Sequence, residues 1–177
     1  IGCESLLPPL GLVTVAGMLS AAADLRLVDM NVRPLEDDDL AWADAVFISA
    51  MIVQKDGMEE VIARAKTAER TIVVGGPYPS SAYQDLPDAD HFMIGEAEGQ
   101  MARFWADCRA GNAARVYARD NQDGTLPALL AHFGEDNVVV SDTPRPPLED
   151  TPLPRFDLLE MKAYKSKLEA DEIEAVS

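Results

Sequence analysis

Apolar and charged residues recur at helical spacing in four segments of the chain. In the most regular of these, residues 57–69, Met58, Val61 and Ile62 share one side of a helix, and the charged residues lie largely on the other side. This periodicity predicts an amphipathic helix. The four predicted helices are residues 11–23, 37–43, 57–69 and 98–110.

Short, mostly uncharged runs lie between these helices, and each is four to seven residues long. A continuous apolar run indicates a strand that is buried on both faces, as in a parallel sheet with helices on either side. We therefore expect an α/β fold, a Rossmann-like (flavodoxin-like) three-layer doubly wound parallel sheet. The predicted strands are residues 25–30, 45–51, 71–74 and 90–94.

The pattern weakens after Gly111. Residues 115–118 are predicted as an edge strand, residues 125–133 as a short helix, and residues 137–140 as a further strand. Each of these segments is short, so their order in the sheet does not follow from the sequence.

Proline content suggests the domain organisation. Five of the twelve prolines lie within residues 143–155, which predicts a semi-rigid extended linker. Residues 156–177 are charged and helical in pattern. We therefore expect one α/β domain over residues 1–142, the linker over residues 143–155, and a helical tail over residues 156–177.

The net charge of −16, from 15 basic and 31 acidic residues, argues against a nucleic-acid-binding or anionic-membrane-binding surface. The apolar stretch at residues 10–19 is about half the length of a membrane span, and no basic signal-peptide region precedes it. We expect a soluble, cytoplasmic protein. Two cysteines, Cys3 and Cys108, are too few for a zinc knuckle or a cysteine-bound iron–sulfur cluster within one chain.

Candidate binding residues follow three of the predicted strands. Parallel sheets bind ligands beyond the carboxyl ends of their strands. A hydroxyl there can bond a ring nitrogen or an amide, adjacent glycines let the backbone approach a flat ligand, and glutamates favour a helix start. Taken singly, Gly-Gly-Pro is an ordinary turn and a serine an ordinary strand end, so the combination carries the hypothesis. The candidates are Ser49, Met51, Gly75, Gly76, Pro77, Gly95, Glu96 and Glu98.

Six segments of the chain, taken in order, carry a family resemblance. They are PPLGLVTVAGML (8–19), LVDMNVRPL (27–35), WADAVFISAMIVQ (42–54), VVGGPYPSS (73–81), DADHFMIGEAE (88–98) and TPLPRFDLL (151–159). Together they resemble the N-terminal cobalamin-binding domain of B12-binding radical SAM proteins. In that family a Rossmann-like domain holds cobalamin. A radical SAM barrel follows, with a CxxxCxxC motif for a 4Fe-4S cluster, and many members transfer methyl groups to unactivated carbons.

The resemblance implies roles for the candidate residues. Ser49 and Met51 match the loop that meets the buried dimethylbenzimidazole tail of cobalamin. The turn alongside that tail is matched by Gly75, Gly76 and Pro77.

Two further loops of the family also have counterparts in this chain. The loop near the corrin rim and the ribose-phosphate is matched by Gly95, Glu96 and Glu98. The loop under the corrin face is matched by Pro9, Leu10 and Gly11.

The chain departs from the family pattern at three points. It has no D-x-H-x-x-G motif, so we expect cobalt to have no histidine ligand from this domain, and we expect His91 and His132 to be structural or surface residues. The family's first strand is expected to be missing. No cysteine follows Tyr164. The 4Fe-4S cluster and S-adenosylmethionine are therefore expected only in a parent radical SAM domain, and this chain is not expected to be catalytic alone.

Three functions remain open at this point. The leading one is a cobalamin-binding module, with the cofactor held base-off, of a methyltransferase-type radical SAM enzyme. The second is a degenerate Rossmann-like domain with a structural or protein-interaction role that does not bind cobalamin. The third, a receiver- or flavodoxin-like domain that uses Asp29, lacks both an acidic cluster with a strand-end lysine and a phosphate-binding loop.

Overall fold

The computed structural model describes residues 8–119, 124–141, 147, 149, 151–160 and 164. The chain forms two compact units, one from Ile1–Asp39 together with Pro152–Ser177, and the other from Leu40–Thr151. Within the described ranges, no helix is both long enough and apolar enough to span a membrane.

The second unit is built on a five-stranded sheet in which every neighbouring pair of strands is parallel. The strands follow one another across the sheet in chain order. Parallel strands of this kind need helical crossovers, which the intervening segments provide. The strands are β1 (Ala45–Ser49), β2 (Thr71–Gly75), β3 (His91–Ile94), β4 (Val116–Arg119) and β5 (Val138–Ser141).

Six α-helices lie in the described part of the chain. Five correspond to predicted segments, and the six-residue helix that begins at Pro77 was not predicted. Single turns of 3-10 helix lie at Ile52–Gln54 and Tyr83–Asp85. The helices are α1 (Leu10–Leu19), α2 (Asp37–Trp42), α3 (Lys55–Thr67), α4 (Pro77–Ala82), α5 (Met101–Ala110) and α6 (Thr125–Phe133).

Helices cover both faces of the sheet. Phe92 of β3 packs against Phe133 of α6, with ring centroids 5.2 Å apart. His91, one residue earlier, packs against Phe104 of α5 at 5.3 Å. Successive side chains of a strand point to opposite faces, so α5 and α6 lie on opposite sides. This arrangement confirms the predicted Rossmann- or flavodoxin-like α/β fold.

Two strand predictions were wrong in detail. Residues 25–30 form no strand, and β1 is the first strand in the described part of the chain. A strand needs a neighbour to bond its backbone, and this segment pairs with none of the five. Residues 115–118 were predicted as an edge strand, but β4 lies between β3 and β5. A further strand was predicted at residues 137–140, but its pairing with residues 115–118 does not follow from either short apolar run.

The first unit joins α1 to the proline-rich segment. The Arg155 amide donates to the Val13 carbonyl at 2.9 Å. A Cβ atom at Gly17 would lie only 2.5 Å from the Leu153 carbonyl oxygen, so this helix position requires glycine. Of the tail predicted as helical, Phe156–Leu158 forms a single 3-10 turn. Residues 161–163 and 165–177 lie outside the described residues.

Asp39 organises the segment that precedes α2. Its carboxylate accepts from the Arg33 guanidinium at 2.7 and 3.1 Å and from Arg26 at 3.0 Å. The Glu36 amide also donates to it, at 3.1 Å. These bonds, led by the one from Arg33, hold the pKa of Asp39 well below its usual range. The segment that was predicted as a strand is thus held in this unit by side-chain bonds.

A polar network joins α5 to β4 in the second unit. Tyr117 is 1% exposed, and its hydroxyl donates to Asp107 at 2.9 Å and accepts from the Ala114 amide at 3.0 Å. Arg103 Nε contacts both carboxylate oxygens of Asp107, at 2.9 and 2.7 Å. Burial raises the pKa of Tyr117 to about 12, so the phenol remains a donor at neutral pH.

We expect Tyr117→Phe to lower the free energy of unfolding by about 1–3 kcal/mol. The change leaves the Ala114 amide and the Asp107 carboxylate without their shared partner inside the protein. Urea denaturation followed by circular dichroism measures the loss. Tyr83→Phe is the matched control, because the Tyr83 ring packs against Phe133 and its hydroxyl has no hydrogen bond among the described residues. Equal stability of Tyr117→Phe and Tyr83→Phe would contradict the prediction.

Asp107 should also make stability depend on pH. The Arg103 hydrogen bond, followed by the Tyr117 bond, lowers the pKa of Asp107. The stabilisation is therefore present above the unfolded-state pKa of about 3.9 and is lost as the pH falls through the folded-state pKa. The stability difference between wild type and Asp107→Asn should be constant above about pH 5 and should shrink below about pH 4. A difference independent of pH would refute the assignment.

Candidate functional site

The carboxyl ends of β1, β2 and β3 lie side by side at one edge of the sheet. The parallel register pairs Ser49 with Gly75 and Gly75 with Met93. A Cβ atom at Gly75 would lie 3.3 Å from the Met93 carbonyl oxygen. The Ser49 side chain is exposed at this edge, and its hydroxyl has no hydrogen bond among the described residues. The sheet therefore brings three of the candidate loops together.

The backbone of Gly76 lies so close to Ser49 that a side chain would not fit between them. Its backbone has φ +90° and ψ −177°, a region that is essentially restricted to glycine. A Cβ atom at this position would lie 2.5 Å from Ser49 Oγ and 3.6 Å from the Ala50 amide nitrogen. The Tyr78 amide donates to the Ala50 carbonyl at 3.1 Å and joins the same two loops. Pro77 is the first residue of α4, where a missing amide hydrogen costs nothing.

An exposed apolar turn follows β1. Met51, Ile52 and Val53 are 58%, 64% and 86% exposed, respectively. The Met51 amide donates to Gln54 Oε1 at 2.9 Å, which fixes the turn at the start of α3. Ile52 and Val53 were not identified as candidates, because an apolar run after a strand is ordinarily buried. We call Met51–Val53 the apolar turn.

The loop between β3 and α5 is held by side chains from several elements. The Gly95 amide donates to Ser80 Oγ at 3.3 Å. Gln100 Nε2 donates to the carbonyls of Ile94 and Glu96, at 3.2 and 2.7 Å. The Arg119 guanidinium donates to the Glu98 carbonyl at 3.4 Å. Sequence reasoning missed Ser80, Gln100 and Arg119, because their partners are backbone atoms that no motif specifies. We call residues 95–99 the β3–α5 loop.

Charge at this edge is mixed. Glu96 is exposed and Glu98 is half-buried. Lys55, the first residue of α3, forms an ion pair with Glu59 at 3.6 Å. The pKa of Lys55 is raised, first by the neighbouring Tyr78 and then by Glu59, so the ammonium group remains charged at neutral pH.

Neither histidine lies at this edge. His91 begins β3, and its Nδ1 lies 2.8 Å from the Ala114 carbonyl. His132 lies in the last turn of α6, which leads to the amino end of β5, and its ring contacts Tyr83 and Phe133. Both histidines lie toward the opposite, amino-terminal edge of the sheet, where His91 is half-buried and His132 is exposed. Among the described residues, no three His, Cys, Asp or Glu side chains are grouped to hold a metal ion.

The remaining predicted site residues belong to the first unit. Pro9 is the N-cap of α1, and Leu10 and Gly11 are its first two residues. Leu10 and Gly11 are exposed, and nothing lies within 4 Å of a Cβ placed on Gly11. Their role under a corrin face stays a prediction.

The family model for the B12 binding domain matches residues 3–104, which is more than half of the chain. The chain belongs to the B12-binding domain family. The match includes β1 to β3 with the loops at their carboxyl ends, so it covers every candidate residue named above.

Curated relatives of this B12-binding domain are longer proteins. This chain is 35% identical over 168 residues to an uncharacterized methyltransferase, sll1242, of Synechocystis sp. The alignment covers 94% of this chain and 27% of that protein. The chain is 30% identical over 159 residues to the hopanoid C-2 methylase of Rhodopseudomonas palustris, and the alignment covers 89% of this chain and 26% of that protein. The chain is 25% identical to an uncharacterized methyltransferase, PH0819, of Pyrococcus horikoshii, and the alignment covers 90% of this chain and 36% of that protein. The chain thus spans about a quarter to a third of these relatives.

We expect Gly76→Ala to destabilise the B12-binding domain by about 1–3 kcal/mol, because alanine strains this backbone region and its Cβ collides with Ser49 Oγ. Urea denaturation measures the change. Gly57→Ala is the matched control. Gly57 lies inside α3 with nothing within 4 Å of a Cβ, so alanine should stabilise the helix by up to about 1 kcal/mol. A Gly76→Ala protein as stable as wild type would contradict the observed contact.

Proposed function

We propose that this chain is the cobalamin-binding module of a B12-dependent radical SAM enzyme of the methyltransferase type. In this proposal the module holds cobalamin base-off and supplies no histidine to cobalt. The observation that carries it is the joined edge formed by Ser49, Gly75 and Gly76 in a chain of the B12-binding family. When bound, cobalamin supplies a cobalt ion that can accept and pass on a methyl group.

The chemistry of the edge fits a flat, largely apolar group with polar margins. Gly75 and Gly76 present backbone without side chains, and Ser49 offers a hydroxyl that can donate one hydrogen bond and accept others. The apolar turn beside them can cover the face of a ring system. These features support placing the dimethylbenzimidazole tail against Ser49, Gly75 and Gly76.

The proposed base-off state without histidine rests on where the two histidines lie. The sequence contains only two, and both lie toward the amino-terminal edge of the sheet. A ligand at the carboxyl-terminal edge is therefore beyond their reach. If Ser49, Gly75 and Gly76 hold the tail base, neither that base nor an imidazole of this chain would be available to cobalt.

We further propose that this chain is part of a longer parent enzyme. The curated relatives carry methyltransferase or methylase names and are about three times as long as this chain. We infer a radical SAM barrel outside this chain that holds the 4Fe-4S cluster and S-adenosylmethionine. The two cysteines of this chain cannot supply the three that such a cluster motif requires.

One observation favours the second candidate, a degenerate domain that does not bind cobalamin. The contact of Gly76 with Ser49 already explains why glycine is needed there, because a larger residue would collide with the serine inside the protein itself. A structural domain would need the same glycine. Binding must therefore be measured directly.

The test is to mix the 177-residue protein with hydroxocobalamin, remove free cofactor by desalting, and record the visible spectrum. We expect retained cofactor with the spectrum of the base-off form at neutral pH. The Co(II) form should show no nitrogen hyperfine splitting from an axial ligand in electron paramagnetic resonance. Complete loss of cobalamin on desalting would reject the proposal in favour of the degenerate domain. A nitrogen splitting would reject its base-off part.

Ser49→Ala should weaken cobalamin binding about fivefold, the effect of losing one hydrogen bond of about 1 kcal/mol. Titration followed by the visible spectrum gives the dissociation constant. Thr71→Val is the matched control, since it removes an exposed hydroxyl from the amino end of β2, at the other edge of the same sheet. An unchanged dissociation constant for Ser49→Ala would contradict the placement of the tail.

A further inference from the structure

We propose that Gln100 is a positioning residue that sets the shape of the β3–α5 loop for ligand binding. The inference rests on the proposed function, since cobalamin is the ligand that this loop would meet. It concerns a residue outside the candidate set of Ser49, Gly75, Gly76 and the loop glutamates.

The side chain of Gln100 is buried, at 1% exposure, and its amide nitrogen is shared between two carbonyls of one chain segment. It donates to Ile94, the last residue of β3, at 3.2 Å and to Glu96 at 2.7 Å. One NH2 group thus fixes the point at which the strand ends and the loop begins. Side chains with two hydrogens on one nitrogen are few, and glutamine has the length required here.

Gln100 does not act as an ordinary helix cap. It occupies the N-cap position of α5, where a side-chain oxygen normally accepts from an amide of the first turn. Its side chain makes no such bond and turns back toward β3 instead. Its Oε1 is buried and has no partner among the described residues, so the interactions of this side chain come from its donors. Burying an unpaired oxygen is unfavourable, and the two bonds that the Gln100 nitrogen makes to Ile94 and Glu96 offset that cost.

Other side chains act on the same loop from separate elements. Ser80 of α4 accepts from the Gly95 amide, and Arg119 of β4 donates to the Glu98 carbonyl. Ser141 of β5 donates to the Gly99 carbonyl at 3.3 Å. Side chains of other elements therefore fix the backbone of the loop, while the Glu96 side chain remains exposed. A preformed loop binds its ligand without first losing conformational freedom.

The test combines hydrogen exchange with cobalamin titration of wild type and Gln100→Met, which keeps side-chain length and removes both donors. We expect amides in residues 95–101 to exchange at least tenfold faster in Gln100→Met and the cobalamin dissociation constant to rise about tenfold. Gln100→Glu, which has the same shape but places an oxygen against both carbonyls, should impair the loop at least as much. Circular dichroism confirms that each variant is folded.

Two controls separate positioning from stability. Val116→Ala removes buried methyl groups at the amino end of β4, so it should lower stability but leave loop exchange and cobalamin affinity within about twofold. Gln84→Met makes the same glutamine-to-methionine substitution at an exposed site. It should change neither the hydrogen exchange of the loop nor the cobalamin affinity.

The outcomes distinguish the inference from the proposed function. Wild-type protein that does not retain cobalamin would overturn the proposed function. Wild type that binds, with Gln100→Met binding equally well or with unchanged loop exchange, would overturn the role of Gln100 alone. The role of Gln100 would also be overturned if the amides of residues 95–101 exchanged without protection in wild type. An equal loss of cobalamin affinity in Val116→Ala would overturn it as well.

Discussion

The continuous parallel register of β1, β2 and β3 is the constraint on which the candidate site depends. It brings Ser49, Gly75 and Met93 into one row and places the loops that follow them at a single edge. A shift of one residue in any strand would turn its side chains to the other face and separate Ser49 from Gly76. Because Phe92 and His91 pack on opposite helical layers, the hydrophobic core on both faces opposes such a shift.

Gly76 shows how folding and binding can require the same residue. The missing Cβ permits Ser49 to approach the backbone of the next loop, which brings the loops after β1 and β2 together. Gly76 is also partly exposed, so a ligand can approach its backbone from outside. The glycine therefore does not distinguish a binding domain from a structural one. The hydroxyl of Ser49, which has no hydrogen bond among the described residues, and the exposed apolar turn are more informative, because both leave binding capacity that the described residues do not use.

The sequence predicted elements with strong local patterns and missed those that depend on distant partners. Helix α3 was predicted to within two residues at each end and strand β2 to within one, since their periodicity and turn signals are local. Residues 25–30 look like a strand, but a strand also needs a neighbour, which periodicity does not reveal. Gly76 and Ser49 were identified from their positions after strands. Gln100 was missed because its partners are backbone carbonyls, and no residue pattern marks those.

The absence of histidine from the carboxyl-terminal edge determines which forces can hold cobalamin in the proposed complex. Without a bond from protein to cobalt, affinity must come from buried apolar surface and a few hydrogen bonds, each worth about 1 kcal/mol. Any ordering of loops on binding would consume much of that gain. A site of this kind therefore depends on loops that are fixed beforehand. The bonds of Gln100, Ser80 and Arg119 to the β3–α5 loop are an arrangement that meets this requirement.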